Sequence, residues 1–225
     1  PYTAKQWGVS PEEIDPSVLA RVPLRFSYDV GYFDDPYQVM PVHSFTSFFE
    51  NLLHHSNIHV ELGQDALKQL EIKDNQVTVD GRPFAGLVIY TGPIDELFHL
   101  KYGKLPYRSL RFEWKFSEKD SIQDAPVVAY PQEKGFTRIT EYKKLPIQDK
   151  SGSSYALEYP LPYEEGKDME PYYPVLTKES KEQYAKYKAL ADKVSNLICC
   201  GRLADFKYYN MDQALERALE ICKKL

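Results

Sequence analysis

The sequence predicts a mixed fold, an α/β layer joined to an antiparallel β-sheet, and three observations predict it. Leu87-Val88-Ile89-Tyr90 and Leu197-Ile198-Cys199-Cys200 are short apolar runs stopped at Gly92 and Gly201, the pattern of strands buried on both faces. Leu110, Phe112, Trp114 and Phe116 alternate with Arg111, Glu113 and Lys115, the period of two that marks a strand. Segments of helical period stand before the first apolar run and on both sides of the second.

Taken in order, Ser10-Pro11-Glu12-Glu13 is a capping box with proline at the first helical position, which predicts a short helix. Asp15-Pro16-Ser17 interrupts it, and a second turn or helix runs toward Arg21. Residues 24–40 place Tyr28, Tyr32, Phe33 and Tyr37 among aspartates and read as a loop or short hairpin. Ser44 can cap a helix in which Phe45, Phe48, Phe49, Leu52 and Leu53 share a face. Ile58-His59-Val60-Glu61-Leu62 and Gln76-Val77-Thr78-Val79 alternate as half-buried strands. Beyond Gly103, residues 127–130, 136–142 and 155–159 are further strands, separated by turn-rich sequence that favours antiparallel pairing. Residues 177–193 form a charged helix that turns Tyr184, Tyr187, Leu190 and Ala191 inward. Asn210 caps a last helix expected to bury Ala214, Leu215, Ala218, Leu219 and Cys222. A helix that follows a strand directly offers backbone N–H groups and a positive dipole end to an anionic oxygen.

Composition narrows the function. The 225 residues are 43% hydrophobic, enough to bury a core, and their net charge of -5 argues against a broad nucleic-acid surface. An anion site on such a chain has to be a local cluster of arginines. Cys199, Cys200 and Cys222 are too few and too poorly spaced for a disulfide framework or a zinc site, and the first two read as small buried hydrophobes. His54, His55 and His59 lack the carboxylate company of a metal centre. No apolar run reaches the roughly 18 residues of a membrane span, so no membrane insertion is expected and a reduced cytoplasmic setting is. Eighteen tyrosines can serve packing, or line a pocket where rings stack on a base and hydroxyls bond a sugar.

A set of segments, in order from end to end, carries a family resemblance. They are Tyr2-Thr3-Ala4-Lys5-Gln6-Trp7-Gly8, Arg21-Val22-Pro23-Leu24-Arg25-Phe26, Tyr32-Phe33-Asp34, Tyr90-Thr91-Gly92-Pro93, Phe136-Thr137-Arg138-Ile139, Glu170-Pro171-Tyr172-Tyr173-Pro174, Gly201-Arg202-Leu203 and Tyr208-Tyr209-Asn210-Met211-Asp212. Their order and spacing resemble the UDP-galactopyranose mutase family. The resemblance implies contraction of UDP-galactopyranose to UDP-galactofuranose, with reduced FAD attacking the anomeric carbon through N5 and displacing UDP. Net oxidation state is unchanged, so the protein's task is positioning and charge stabilisation.

The same resemblance assigns roles. Arg21, on a loop that is mobile in the family, and Arg138 would clamp the diphosphate, since a guanidinium can bind two oxygens at once. Tyr2, Thr3 and Trp7 would hold the uridine, and Tyr32, Tyr173 and Tyr208 would surround diphosphate and sugar, with Tyr172 the neighbouring alternative to Tyr173. Gly201, Arg202, Tyr209, Asn210 and Met211 would form a second flavin-binding segment. By analogy residues 1–22 end a helical substrate-binding domain, 23–105 and 177–225 belong to the FAD-binding α/β domain, and 106–176 form the antiparallel sheet domain.

Some features depart from the family pattern. Ala129 stands before Tyr130 where asparagine is common, and His43-Ser44 replaces a glycine pair. The family's opening strand–turn–helix, rich in glycine, has no counterpart here, so the expectation is a carboxy-terminal part that holds FAD weakly and is inactive alone. Bare apolar surface on such a part would favour a homodimer or other self-association. Rival readings are a non-catalytic module for UDP or a UDP-sugar, and an FAD oxidoreductase of amine-oxidase-like fold. The second would lack the indole and the paired arginines.

Overall fold

A computed structural model describes residues 2–19, 26–28, 31, 34–164 and 167–225. In chain order the helices are α1 (Tyr2–Trp7), α2 (Pro16–Leu19), α3 (Phe45–Leu53), α4 (Ile94–Leu97), α5 (Lys178–Ala191) and α6 (Met211–Cys222). The strands are β1 (Leu70–Lys73), β2 (Gln76–Val79), β3 (Arg82–Pro83), β4 (Val88–Tyr90), β5 (Tyr107–Ser117), β6 (Val127–Ala129), β7 (Arg138–Glu141), β8 (Ser153–Pro162), β9 (Tyr173–Pro174) and β10 (Leu197–Cys199). Two compact units divide them. The first comprises Pro1–Asp15, Asp65–Arg111 and Tyr159–Leu225, the second Pro16–Gln64 and Phe112–Glu158.

In the first unit a meander β1-β2-β3 is closed by turns in which Asp74, Asn75, Asp80 and Gly81 all take positive φ. Left-handed pairs of this kind match the right-handed twist of the strands they join, which is why Asp, Asn and Gly occupy them. β4 and β10 pair in parallel with Cys199 opposite Tyr90, and the chain leaves the two strands through glycine-containing turns at Gly92 and Gly201. β9 pairs antiparallel with the start of β5, Tyr173 opposite Arg108. Around these strands Tyr90, Ile94, Leu97, Leu105, Tyr107, Tyr187, Leu197 and Phe206 form a continuous apolar core. α5 enters it through Tyr187 and Ala191 as its period predicts, started by a Thr177–Ser180 capping box.

The second unit contains α2, α3 and the antiparallel order β6-β7-β8-β5, with Arg138 opposite Glu158 and Ala129 opposite Arg138. Beside Ala156 its interior holds several polar groups. Thr137, Glu141, Ser153 and Glu158 are all buried, and Glu141 accepts from the Ser153 hydroxyl at 2.6 Å and the Ile122 N–H at 3.1 Å.

Three expectations are corrected. Residues 58–62 form no strand and are exposed, because alternation makes a strand only where a neighbouring edge accepts its backbone bonds. The run ending at Tyr90 is not covered on both faces, since Ile89 keeps 48% of its surface. In α6 the face expected to be buried is largely open, with Leu215 60% and Leu219 52% exposed and Ile221 buried instead. Helical period specifies which residues share a face, not what covers it. α3 is capped by the Ser44 side chain as expected, and its shared apolar face is likewise exposed. The mixture of helices and antiparallel sheets is an α+β arrangement.

Candidate functional site

In the first unit α1 delivers Trp7 to two tyrosines that are remote in sequence. The indole lies 4.7 Å from the ring of Tyr173 and 5.3 Å from that of Tyr208, with Tyr173 and Tyr208 6.0 Å apart and edge-on. Trp7 retains 6% of its surface, so the indole is held mainly by these rings and little of it is open. The Gln6 amide donates to the Tyr173 hydroxyl at 2.6 Å, locking α1 to β9. Tyr2 and Thr3 occupy the first turn of α1 and are half-buried.

Arg202 ties the same cluster from below. Its guanidinium lies 4.9 Å from the Tyr208 ring centroid, a cation–π distance, and donates to the carbonyls of Tyr172 (3.0 Å) and Tyr209. The structure thus brings Trp7, Tyr173, Tyr208, Arg202 and Tyr209 together from three separate segments.

The segment after β10 is organised by Asp205. Its carboxylate accepts from the Gly201 N–H (3.1 Å), the Tyr209 hydroxyl (3.2 Å) and Arg217 Nε (3.1 Å). Gly201 has φ +98, a conformation that favours glycine, and a Cβ there would meet only Thr91 at ordinary contact. Burial and the Asp205 carboxylate push the Tyr209 phenol up to about 12. Asn210 caps α6, its N–H bound to Gln213 Oε1 at 2.9 Å, and Met211 is exposed.

In the second unit Arg138 stands on β7 with Nε 2.7 Å from Glu158 Oε2, an ion pair close in distance whose N–H is not aimed at that oxygen. The buried Glu158 also accepts from the Thr140 hydroxyl at 3.0 Å, so the carboxylate facing Arg138 is itself held. Arg21 and Tyr32 lie outside the described residues.

Four residues absent from the sequence expectations belong beside these: Gln6, Asp205, Glu158 and Arg108. Arg108 is on β5, buried, and donates from Nε to the Gln6 carbonyl at 3.2 Å. A signal for it was in the alternation itself, because Arg108 falls in phase with Leu110, Phe112 and Trp114, an arginine in an apolar register.

Comparison with known proteins decides the kinship: residues 1–208 match the family described as UDP-galactopyranose mutase. The chain belongs to the UDP-galactopyranose mutase family. Members similar to it include a dTDP-fucopyranose mutase of Escherichia coli, 37% identical over 229 residues, and a UDP-galactopyranose mutase of Mycoplasma pneumoniae, 35% identical over 230. A probable UDP-galactopyranose mutase of Klebsiella pneumoniae is 35% identical over 221 residues. These matches cover 100%, 100% and 97% of the chain, which spans 58%, 57% and 54% of the three relatives. Among the described residues no helix is long and apolar enough to cross a membrane.

Proposed function

We propose that the protein containing this chain interconverts UDP-galactopyranose and UDP-galactofuranose with reduced FAD, and that this chain holds the nucleotide sugar. The observation that carries the reading is the cluster of Trp7, Tyr173 and Tyr208 over Arg202, gathered from the segments in which the family resemblance resides. Aromatic rings suit a base and a sugar, and Tyr2 and Thr3 precede Trp7 on α1.

Ring contraction requires that UDP leave the anomeric carbon and return to it. Departure is eased by positive charge fixed in advance at the diphosphate, the part given to Arg138 and Arg21. Glu158 serves Arg138 as an ion-pair partner that keeps the guanidinium at the start of β7 before the nucleotide arrives. Tyr173, whose hydroxyl accepts from Gln6, offers a positioned phenol at the sugar, and Tyr32 is assigned beside it.

For FAD, this chain's contribution is the carboxyl end of the β4–β10 pair. Ligands of parallel sheets lie outside the carboxyl ends of the strands, and Gly201 adds a backbone position that crowds nothing but Thr91 at contact distance. Gly201, Tyr209, Asn210 and Met211 would hold the cofactor's edge, with Arg202 fixing the segment through the Tyr172 and Tyr209 carbonyls. When bound, the reduced flavin supplies the nucleophile. Buried free Cys199 and Cys200 are consistent with a reducing, cytoplasmic location.

The test is turnover. The full-length protein, incubated with dithionite, FAD and UDP-galactopyranose, should form UDP-galactofuranose, and Arg138→Ala should lower kcat at least tenfold; no furanose product would sink the reading. The Escherichia coli relative favours a second substrate, and the same assay with dTDP-fucopyranose compares the two by kcat/KM.

A further inference from the structure

Arg108 is the one buried cation among the described residues, with 8% of its surface open. Every other buried charge has a counter-ion or a directed donor: Glu158 has Arg138 and Thr140, Glu141 has Lys144 and Ser153, and Asp95 accepts from the Leu105 N–H. Among the described residues the Arg108 side chain has no carboxylate partner, and its one hydrogen bond is the donation to the Gln6 carbonyl. A guanidinium stays protonated at any pH a protein survives, so this is a charge removed from water with one neutral acceptor. Burial pulls its pKa below the ordinary arginine value.

The chain packs closely on this side chain. Gly8 packs directly on the guanidinium; a Cβ there would lie 2.7 Å from Nη1 and 3.0 Å from Cζ, and its φ of +69 also favours glycine. Arg108 is the register partner of Tyr173, the tyrosine that contacts the Trp7 ring. Next to it the Gln6 Oε1 is buried without a hydrogen-bond partner, leaving the cluster polar and incompletely satisfied.

We propose that Arg108 is an anion-binding residue whose guanidinium takes the oxygens of a diphosphate ester at the wall formed by Gln6, Trp7, Gly8 and Tyr173. Two N–H groups in a plane match two phosphate oxygens. Both UDP-sugars and FAD carry a diphosphate ester. The choice of the nucleotide sugar as its source rests on the function proposed above.

Melting temperature and calorimetry on the chain, with pyrophosphate, UDP, FAD and uridine as probes, test the assignment in wild type, Arg108→Met and Arg108→Lys. Pyrophosphate should raise the wild-type melting temperature and leave Arg108→Met unchanged. UDP should bind Arg108→Met at least tenfold more weakly, Arg108→Lys should recover only part of that, and uridine should be unaffected. Without ligand Arg108→Met should melt no lower than wild type, because it removes a charge that lacked a counter-ion. Anion responses equal in wild type and variants, or a wild type that responds to none of the diphosphates, would overturn the proposal. If Arg108→Met does not fold, Arg108→Lys decides by the same comparison. Stabilisation by pyrophosphate and FAD but not UDP, lost on substitution, would support the anion site and count against the nucleotide-sugar reading.

Discussion

Asp205 shows how much one side chain can organise. Its carboxylate collects the Gly201 N–H, the Tyr209 hydroxyl and the Arg217 guanidinium, tying the end of β10 to the aromatic segment and to α6. Replacing it with alanine strands a partly buried guanidinium and a backbone N–H together. We expect Asp205→Ala to cost about 2–4 kcal/mol, read from denaturant unfolding, and to bring the Tyr209 phenol down from about 12. An unfolding midpoint within error of wild type would show that water replaces the carboxylate. Nothing around Asp205 in the sequence separates it from any other surface aspartate. Its importance arises from which donors the fold aims at it.

Among elements, the meander is fastened by a residue outside it. Asn196, immediately before β10, accepts from the Val77 N–H at 2.7 Å and donates to the carbonyls of Val77 (3.3 Å) and Phe84 (3.0 Å). It thereby supplies β2 with bonds that a further strand would otherwise provide. Asn196→Ala should destabilise by about 2–3 kcal/mol and raise amide exchange selectively at Val77 and its β1 partner Ile72. Uniform exchange changes across the unit would argue against this local fastening. Helix starts were legible because a cap is a local motif: Ser44, Thr177 and Asn210 all begin the helices expected of them. Helix burial was not legible, as Leu215 and Leu219 show, since it depends on elements distant in the chain.

At the scale of the molecule each unit buries titratable groups of its own. The first buries phenols: Tyr90, Tyr107, Tyr184 and Tyr209 are all shifted upward, chiefly by burial. An unfolded phenol ionises near pH 10, so their contribution is full below that and is lost as pH rises through the higher folded values, about 12 for Tyr209. The second unit buries Glu141. Burial alone would raise its pKa, but the Ser153, Ile122 and Lys144 contacts outweigh it and hold the carboxyl low. Its contribution is present above the unfolded value near pH 4.3 and is lost as pH falls through the lower folded one. Stability should therefore fall at both ends of the pH range, with Glu141→Gln flattening the acid limb alone. An acid limb unchanged in that variant would refute the assignment.

The sequence by itself determined the family, the starts of α3, α5 and α6, and strands β2, β4 to β8 and β10, because these depend on residues near one another in the chain or on motifs in a set order. The tertiary structure alone decided which side chains share a site. Gln6 reaches Tyr173 across 167 positions, and Arg108 reaches Gln6 across 102. Such contacts leave no trace in local pattern beyond the arginine that falls in step with apolar neighbours. Burial is a property of the whole packing, and a charge becomes significant only when the fold removes its water and supplies it no counter-ion.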